Sequence, residues 1–198
     1  MNEMKYNHWI DLFNEEDWDE VEPDGSFLGW LKSKYPDENT WKDLTMIDCT
    51  YQNLTDLIGI DKLINLQYLS CYNNQLIELD VSKNINLEGL SCYHNKLTEL
   101  DVTKNINLIN LVCYNNQLTK LDVSKNIKLE FLYCNDNQLI ELDLRNIKLK
   151  TYSYIINNPL IVVRKNRFPF RRFLKKIITF VILVVTKKAK FDENFMGC

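Results

Sequence analysis

Leucines open one unit after another along the middle of the chain, at Leu44, Leu66, Leu87, Leu108, Leu129 and Leu149. The three central steps are identical, the first is longer by one position and the last shorter by one. Inside each middle unit the positions read L-x-x-L-x-C-x-x-N-x-L-x-x-L-D-V/L. The string runs from "LSCYNNQL" at Leu69–Leu76 through "LSCYHNKL" and "LVCYNNQL" to "LYCNDNQL" at Leu132–Leu139. Two spacings are folded together. Leu69 and Cys71 alternate with Ser70 and Tyr72, the two-residue period of a short strand. After the asparagine, Leu76, Leu79 and Val81 follow a spacing suited to a turn that returns the chain across a core. So short a unit buries its apolar edge only against a neighbour, and the pattern therefore predicts a stacked array.

Stacking gives each recurrent residue a task. Parallel strands in register lie about 4.8 Å apart, so equivalent side chains form columns. Leu66, Leu69, Leu76 and Leu79 and their repeats predict a continuous apolar core. Asn74, Asn95, Asn116 and Asn137 predict an inward amide column that bonds the backbone of the turn. Without such partners each buried peptide group costs roughly 1–3 kcal/mol. Cys49, Cys71, Cys92, Cys113 and Cys134 predict a third column, of small thiols filling a narrow core. Disulfides between neighbours are disfavoured, because side chains about 4.8 Å apart miss the roughly 3.5–4.5 Å that bonded Cβ atoms want. No pair has the C-x-x-C spacing of a zinc site. Asp80, Asp101, Asp122 and Asp143 read as turn residues that accept from nearby amides.

These motifs resemble the leucine-rich repeat family, in the cysteine-ladder form of internalin-type bacterial surface proteins. The resemblance covers Leu44 to about Pro159. It implies a repeat solenoid of the α/β leucine-rich-repeat type, mostly β, right-handed and curved, with a parallel sheet on its concave side. It also implies protein recognition or adaptor work without catalysis. Two units depart from the pattern: Gln52 stands where the first asparagine belongs, and Tyr154 takes the place of the last cysteine.

On that architecture the outward strand positions are Tyr68, Ser70 and Tyr72, then Gly89, Ser91 and Tyr93. Asn110, Val112 and Tyr114 follow, then Phe131, Tyr133 and Asn135. Tyr72, Tyr93 and Tyr114 form an aromatic stripe. It either anchors a protein partner, with Ser70, Ser91 and Asn110 as adaptable polar contacts, or consists of tyrosines shielding one another on the sheet.

Charge divides the chain around this array. Residues 1–43 hold 12 Asp/Glu against 4 Lys/Arg, a net of −8, and residues 160–198 hold 10 Lys/Arg against 2 Asp/Glu, a net of +8. Residues 1–43 are expected to cap the solenoid of 44–159. There "SFLGWLKSKYP" predicts a short helix that starts at Ser26 and ends before Pro36. Residues 160–198 are expected to form a second cap. Alternatively, the protein is membrane-peripheral and docks through 168–190, where Phe168, Phe170 and Phe173 neighbour Arg171, Arg172, Lys175 and Lys176. The uninterrupted apolar stretch Ile177–Thr186 is far shorter than the roughly 20 residues a spanning helix needs. The opening residues lack a basic start followed by an apolar run, so the default compartment is cytoplasmic. His94 lies between Ser91 and Asp101 in sequence, but it occupies the slot of Asn73 and Asn115 and reads as a solvated turn residue. No phosphate-cradling glycine loop or metal-spaced cluster is present, so no cofactor is expected. Nucleic-acid binding would rest on the basic tail alone and is disfavoured.

Overall fold

A computed structural model describes residues 26–150, 155–159 and 162–164 of the 198-residue chain. The acidic run before residue 26 lies outside them, as do Tyr154 and the membrane-contact residues of 168–190.

Five three-residue strands pair in chain order as one parallel sheet: β1 (Met46–Asp48), β2 (Tyr68–Ser70), β3 (Gly89–Ser91), β4 (Asn110–Val112) and β5 (Phe131–Tyr133). Leu69 pairs with Leu90, Leu90 with Leu111 and Leu111 with Leu132. The sequence repeat is therefore the sheet register, and the chain is a mostly-β, right-handed solenoid. Parallel bonding runs on beyond each strand, with Cys71, Cys92 and Cys113 amides donating at 2.8 Å to the carbonyls of Ser91, Val112 and Tyr133.

One core runs through the coils. The repeated leucines are buried, and Cys71, Cys92, Cys113 and Cys134 are all at 0% exposure as free thiols. The thiol of Cys49 donates to Ser70 O at 3.5 Å. Burial pushes the Cys92 and Cys134 thiols up to about 12, and raises those of Cys49, Cys71 and Cys113 as well.

The asparagines staple each coil to the one before it. Asn95 Oδ1 accepts from Leu76 N at 3.0 Å, while its Nδ2 donates to Cys71 O at 3.0 Å and Cys92 O at 3.1 Å. Asn74, Asn116 and Asn137 repeat this arrangement. Gln52, where the first asparagine would stand, is buried and reaches only Thr50 O, at 3.1 Å. Its side-chain oxygen has no partner.

The last unit corrects the sequence reading. Asn158 makes the same bonds as Asn137, to Cys134 O at 2.9 Å, Ile155 O at 3.1 Å and Leu139 N at 3.0 Å. The step from Asn137 to Asn158 therefore equals the step from Asn116 to Asn137, and Ile155 rather than Tyr154 takes the cysteine position. A second parallel pair, β6 (Glu141–Asp143) with β7 (Val162–Arg164), keeps the same step on the turn side.

Ahead of the array, helix α1 (Phe27–Lys34) is capped by Ser26, whose Oγ accepts from Gly29 N at 3.1 Å. Its buried Phe27, Trp30 and Leu31 share the core with Ile47 and Leu54. Trp41 joins them, its indole N–H donating to Tyr35 O at 2.8 Å. Gly59 closes the contact: its φ is +101°, and a Cβ there would stand 3.2 Å from Leu28 Cδ1.

On the far side each coil turns over an aspartate. Asp80, Asp101, Asp122 and Asp143 accept from the amides of Ser82, Thr103, Ser124 and Arg145 at 2.9, 2.8, 2.9 and 3.1 Å. The amides and hydroxyls of Ser82 and Ser124 hold the Asp80 and Asp122 carboxyls below the ordinary range, and the Thr103 hydroxyl and amide do the same for Asp101. Arg145 holds Asp143 down to about 2.

These columns can be probed one at a time. Asn95→Ala strands the buried Leu76 N–H, removes one of the two asparagine donors from Cys71 O and Cys92 O, and should cost on the order of 1–3 kcal/mol in urea unfolding. Exposed Lys104→Ala should stay within about 0.5 kcal/mol, so equal midpoints would refute the staple. A thiol reagent should reach the five core cysteines only on unfolding, and labelling of Cys92 in folded protein would contradict the packing. The depressed carboxyls set the acid behaviour. Their contribution is complete above the unfolded value of about 3.9 and is lost as pH falls through the lower folded values. The urea midpoint should hold from about pH 7 to 5 and drop below about 4. Asp80→Asn, Asp101→Asn and Asp122→Asn combined, which keep an accepting oxygen, should flatten that drop, and an unchanged acid limb would exclude the aspartates as its source.

Candidate functional site

The strands set two columns of outward side chains, and the residues just beyond them add a third. Closest to the turn are Tyr72, Tyr93 and Tyr114. Their rings stack, Tyr72 on Tyr93 at 4.2 Å and 9° and Tyr93 on Tyr114 at 4.4 Å and 11°. Tyr51 closes one end edge-on at 5.6 Å. Parallel strands at a common register bring three flat rings at one position face to face. The result is a ridge in which both faces of Tyr93 and one face each of Tyr72 and Tyr114 are covered by stacking. Burial raises the Tyr72 and Tyr93 phenols above their usual range.

Beside the ridge the floor is small. Ser91, Asn110 and Val112 are half-buried and Gly89 is buried. Two predicted contact residues offer little surface: Ser70 is 6% exposed and Tyr133 is 8%. Neighbouring side chains decide that, and strand alternation alone does not report it. The ends of the floor carry Tyr68 and Phe131. The Tyr68 hydroxyl donates to Glu88 Oε2 at 2.7 Å, and burial followed by that bond pushes the phenol up to about 12. Lys150 Nζ lies 5.1 Å over the Phe131 ring and pairs with Glu130. At the N-terminal end burial also raises the Asp48 carboxyl, against the bonds it accepts from Thr50.

A fourth column lies just past the ridge. Asn73, His94, Asn115, Asp136 and Asn157 hold φ of 55°, 52°, 51°, 53° and 55°. This left-handed turn suits Asn and Asp, whose short polar side chains relieve its cost. His94 is exposed, flanked edge-on by Tyr93 and Tyr114 at 5.5 and 5.4 Å, with Asn115 Nδ2 3.1 Å from Nε2. The geometry joins it to the tyrosines and the amide rather than to Ser91 or Asp101.

Sequence reasoning missed one structural column. Asn84, Asn105 and Asn126 sit inside the polar "DVSKN" and "DVTKN" strings yet are 0% exposed. Asn105 Nδ2 donates to Val81 O and Asn84 O, both at 2.9 Å, and Asn126 repeats this on Val102 and Asn105. Their recurrence at the same step as the cysteines was the available signal. No group of three or more His, Cys, Asp or Glu side chains among the described residues could hold a metal. No helix among them is long and apolar enough to cross a membrane.

The functional domain of InlJ from Listeria monocytogenes, which includes a cysteine ladder, matches with a TM-score of 0.60 and 43% identity over 62% of this chain. A leucine-rich-repeat protein of Leptospira interrogans matches with a TM-score of 0.51 and 25% identity over 63%. The leucine-rich repeat domain of APL1B, at 18% identity and a TM-score of 0.57 over 83% of the chain and 52% of its own, shows the fold alone. The chain spans 28% and 38% of the first two structures. No family model and no curated protein matches it.

These likenesses correct the cytoplasmic default, because internalins are secreted or surface-anchored bacterial proteins. The residues that open the chain were a poor guide to compartment. Free thiols do not decide it either, since burial protects them from oxidants in any compartment. The fold is one used for protein interaction and generally not for catalysis. The chain is a leucine-rich-repeat solenoid whose buried cysteines match the internalin-like cysteine-ladder subclass.

Proposed function

We propose that this chain is a non-catalytic protein-binding module, an adaptor scaffold whose partner lands on the concave sheet. The observation that carries the reading is the Tyr72–Tyr93–Tyr114 ridge standing over the small floor of Ser91 and Asn110. Stacking removes most of the ridge's side-chain freedom before a partner arrives, so little entropy remains to be lost on binding. Because Tyr93 is stacked on both faces, a partner at the centre of the ridge meets its edge and phenolic hydroxyl, which favours a surface with both apolar groups and hydrogen-bond acceptors. Tyr68 and Phe131 bound the floor, and Ser70 and Tyr133 shape it from below. In the same reading residues 1–43 serve as the N-terminal cap, which the burial of Phe27, Trp30, Leu31 and Trp41 against the first coil supports.

The test starts from a partner captured on the immobilised full chain, identified, and then measured by calorimetry. Tyr93→Ala should weaken binding by about 1–2 kcal/mol or more, and Tyr114→Ala should act in the same direction. Glu99→Ala and Lys120→Ala, exposed on the far side, should leave the affinity unchanged. Circular dichroism and urea midpoints establish first that each variant is folded. Loss of binding in the far-side variants with none in Tyr93→Ala and Tyr114→Ala would place the partner elsewhere.

A further inference from the structure

Four isoleucines at one repeat position stand in the open, with Ile64 52% exposed, Ile85 54%, Ile106 55% and Ile127 65%. A single exposed isoleucine needs no explanation. Four in register present roughly 400 Å² of aliphatic surface, the scale at which a patch marks an interaction site. The row is held rigidly. Each isoleucine follows a fully buried residue (Leu63, Asn84, Asn105 or Asn126), and the Asn86 and Asn107 side chains bond the carbonyls of Ile64 and Ile85 at 3.2 and 3.3 Å. It lies on the flank of the solenoid, between the turn and the strand, and takes no part in the concave floor.

The columns on either side of the row say what fits it. On the turn side run Lys83, Lys104 and Lys125, none paired with a carboxylate among the described residues. On the strand side come Asn65, Asn86, Asn107 and Lys128, then Glu88, which accepts from Tyr68, and Glu130, which pairs with Lys150. An anionic lipid surface is disfavoured, because Asp80, Asp101 and Asp122 border the same lysines and offset their attraction. A second copy of this chain fits on two counts. It carries the same column at the same step, so all four isoleucines seat together. A two-fold axis along the column also brings Lys83 and Lys104 of each copy over Asn86 and Asn107 of the other, with Lys125 meeting Lys128 beside Glu130, whereas an axis across the column sets the lysine column against itself.

We propose that the isoleucine flank is a homodimer interface in which two solenoids meet side by side with their coils running parallel.

The test is sedimentation velocity on the full chain with Cys198→Ser, across a range of concentrations. A reversible dimer is expected. Ile85→Asp combined with Ile106→Asp should raise its dissociation constant by about 100-fold or more. Should that variant fail to fold, Ile85→Thr with Ile106→Thr keeps the β-branched shape and should weaken the dimer in the same direction. Orientation is read by oxidative cross-linking. Ile85→Cys and Ile127→Cys should each cross-link to themselves, because a parallel pair sets every position opposite its own copy. A wild-type chain that stays monomeric at every concentration overturns the proposal. So does a dimer indifferent to the substitutions, or an Ile85→Cys chain that cross-links only to Ile106→Cys.

Discussion

A coil whose strand is only three residues long leaves most of its peptide groups outside any sheet ladder, and the structure depends on how those groups are paired. The asparagine amide supplies the answer, since it offers a donor and an acceptor in one plane on a short side chain. Asn116 reaches back to Leu97 N and Cys92 O in the preceding coil and to Cys113 O in its own. Asn105, at the opposite corner, donates twice into the preceding coil. Each of these coils is thus tied to its neighbour at two corners as well as along the sheet. The leucines and thiols between those corners supply burial, which is non-directional, while the amides supply register, which burial cannot.

From that register the surface follows. Because equivalent residues repeat at one spacing, any side chain placed once becomes a column. Tyrosines become a stacked ridge, αL asparagines a polar margin, and isoleucines an aliphatic strip. Each surface is therefore rigid and ordered before a ligand arrives, which is the property a recognition scaffold needs. The cost is monotony, and the departures from repetition are where selectivity can reside. His94 breaks the asparagine margin, and Phe131 with Lys150 over its ring closes one end of the floor. Gly89 opens the floor between Tyr68 and Asn110.

Much of this was legible in the sequence, because leucine, cysteine and the first asparagine column each recur with the period that the sheet register repeats. Three features were hidden for physical reasons. Asn84 is a polar residue between exposed neighbours, and burial of an amide whose Nδ2 is bonded to two carbonyls leaves no trace in a hydropathy pattern. Counting the last unit from Leu149 misplaces it, whereas the hydrogen bonds of Asn158 set its register and bring Ile155 to the cysteine position. Alternation along a strand shows which way Ser70 and Tyr133 point but not how far larger neighbours cover them. It likewise reports that tyrosines align, without reporting that they stack face to face.

The account rests on amides bonding across coils, and native-state hydrogen exchange reads those bonds directly. Leu76, Leu97 and Leu118 lie outside the strands, yet each donates its N–H to an asparagine Oδ1 of the next coil at 3.0 Å. Their exchange should be as slow as that of Cys92, whose N–H lies on the sheet's own bonding line, and should occur only with global unfolding. Exchange of these three amides at the rate of exposed turns, with Cys92 still protected, would contradict the claim that asparagine holds the coils together.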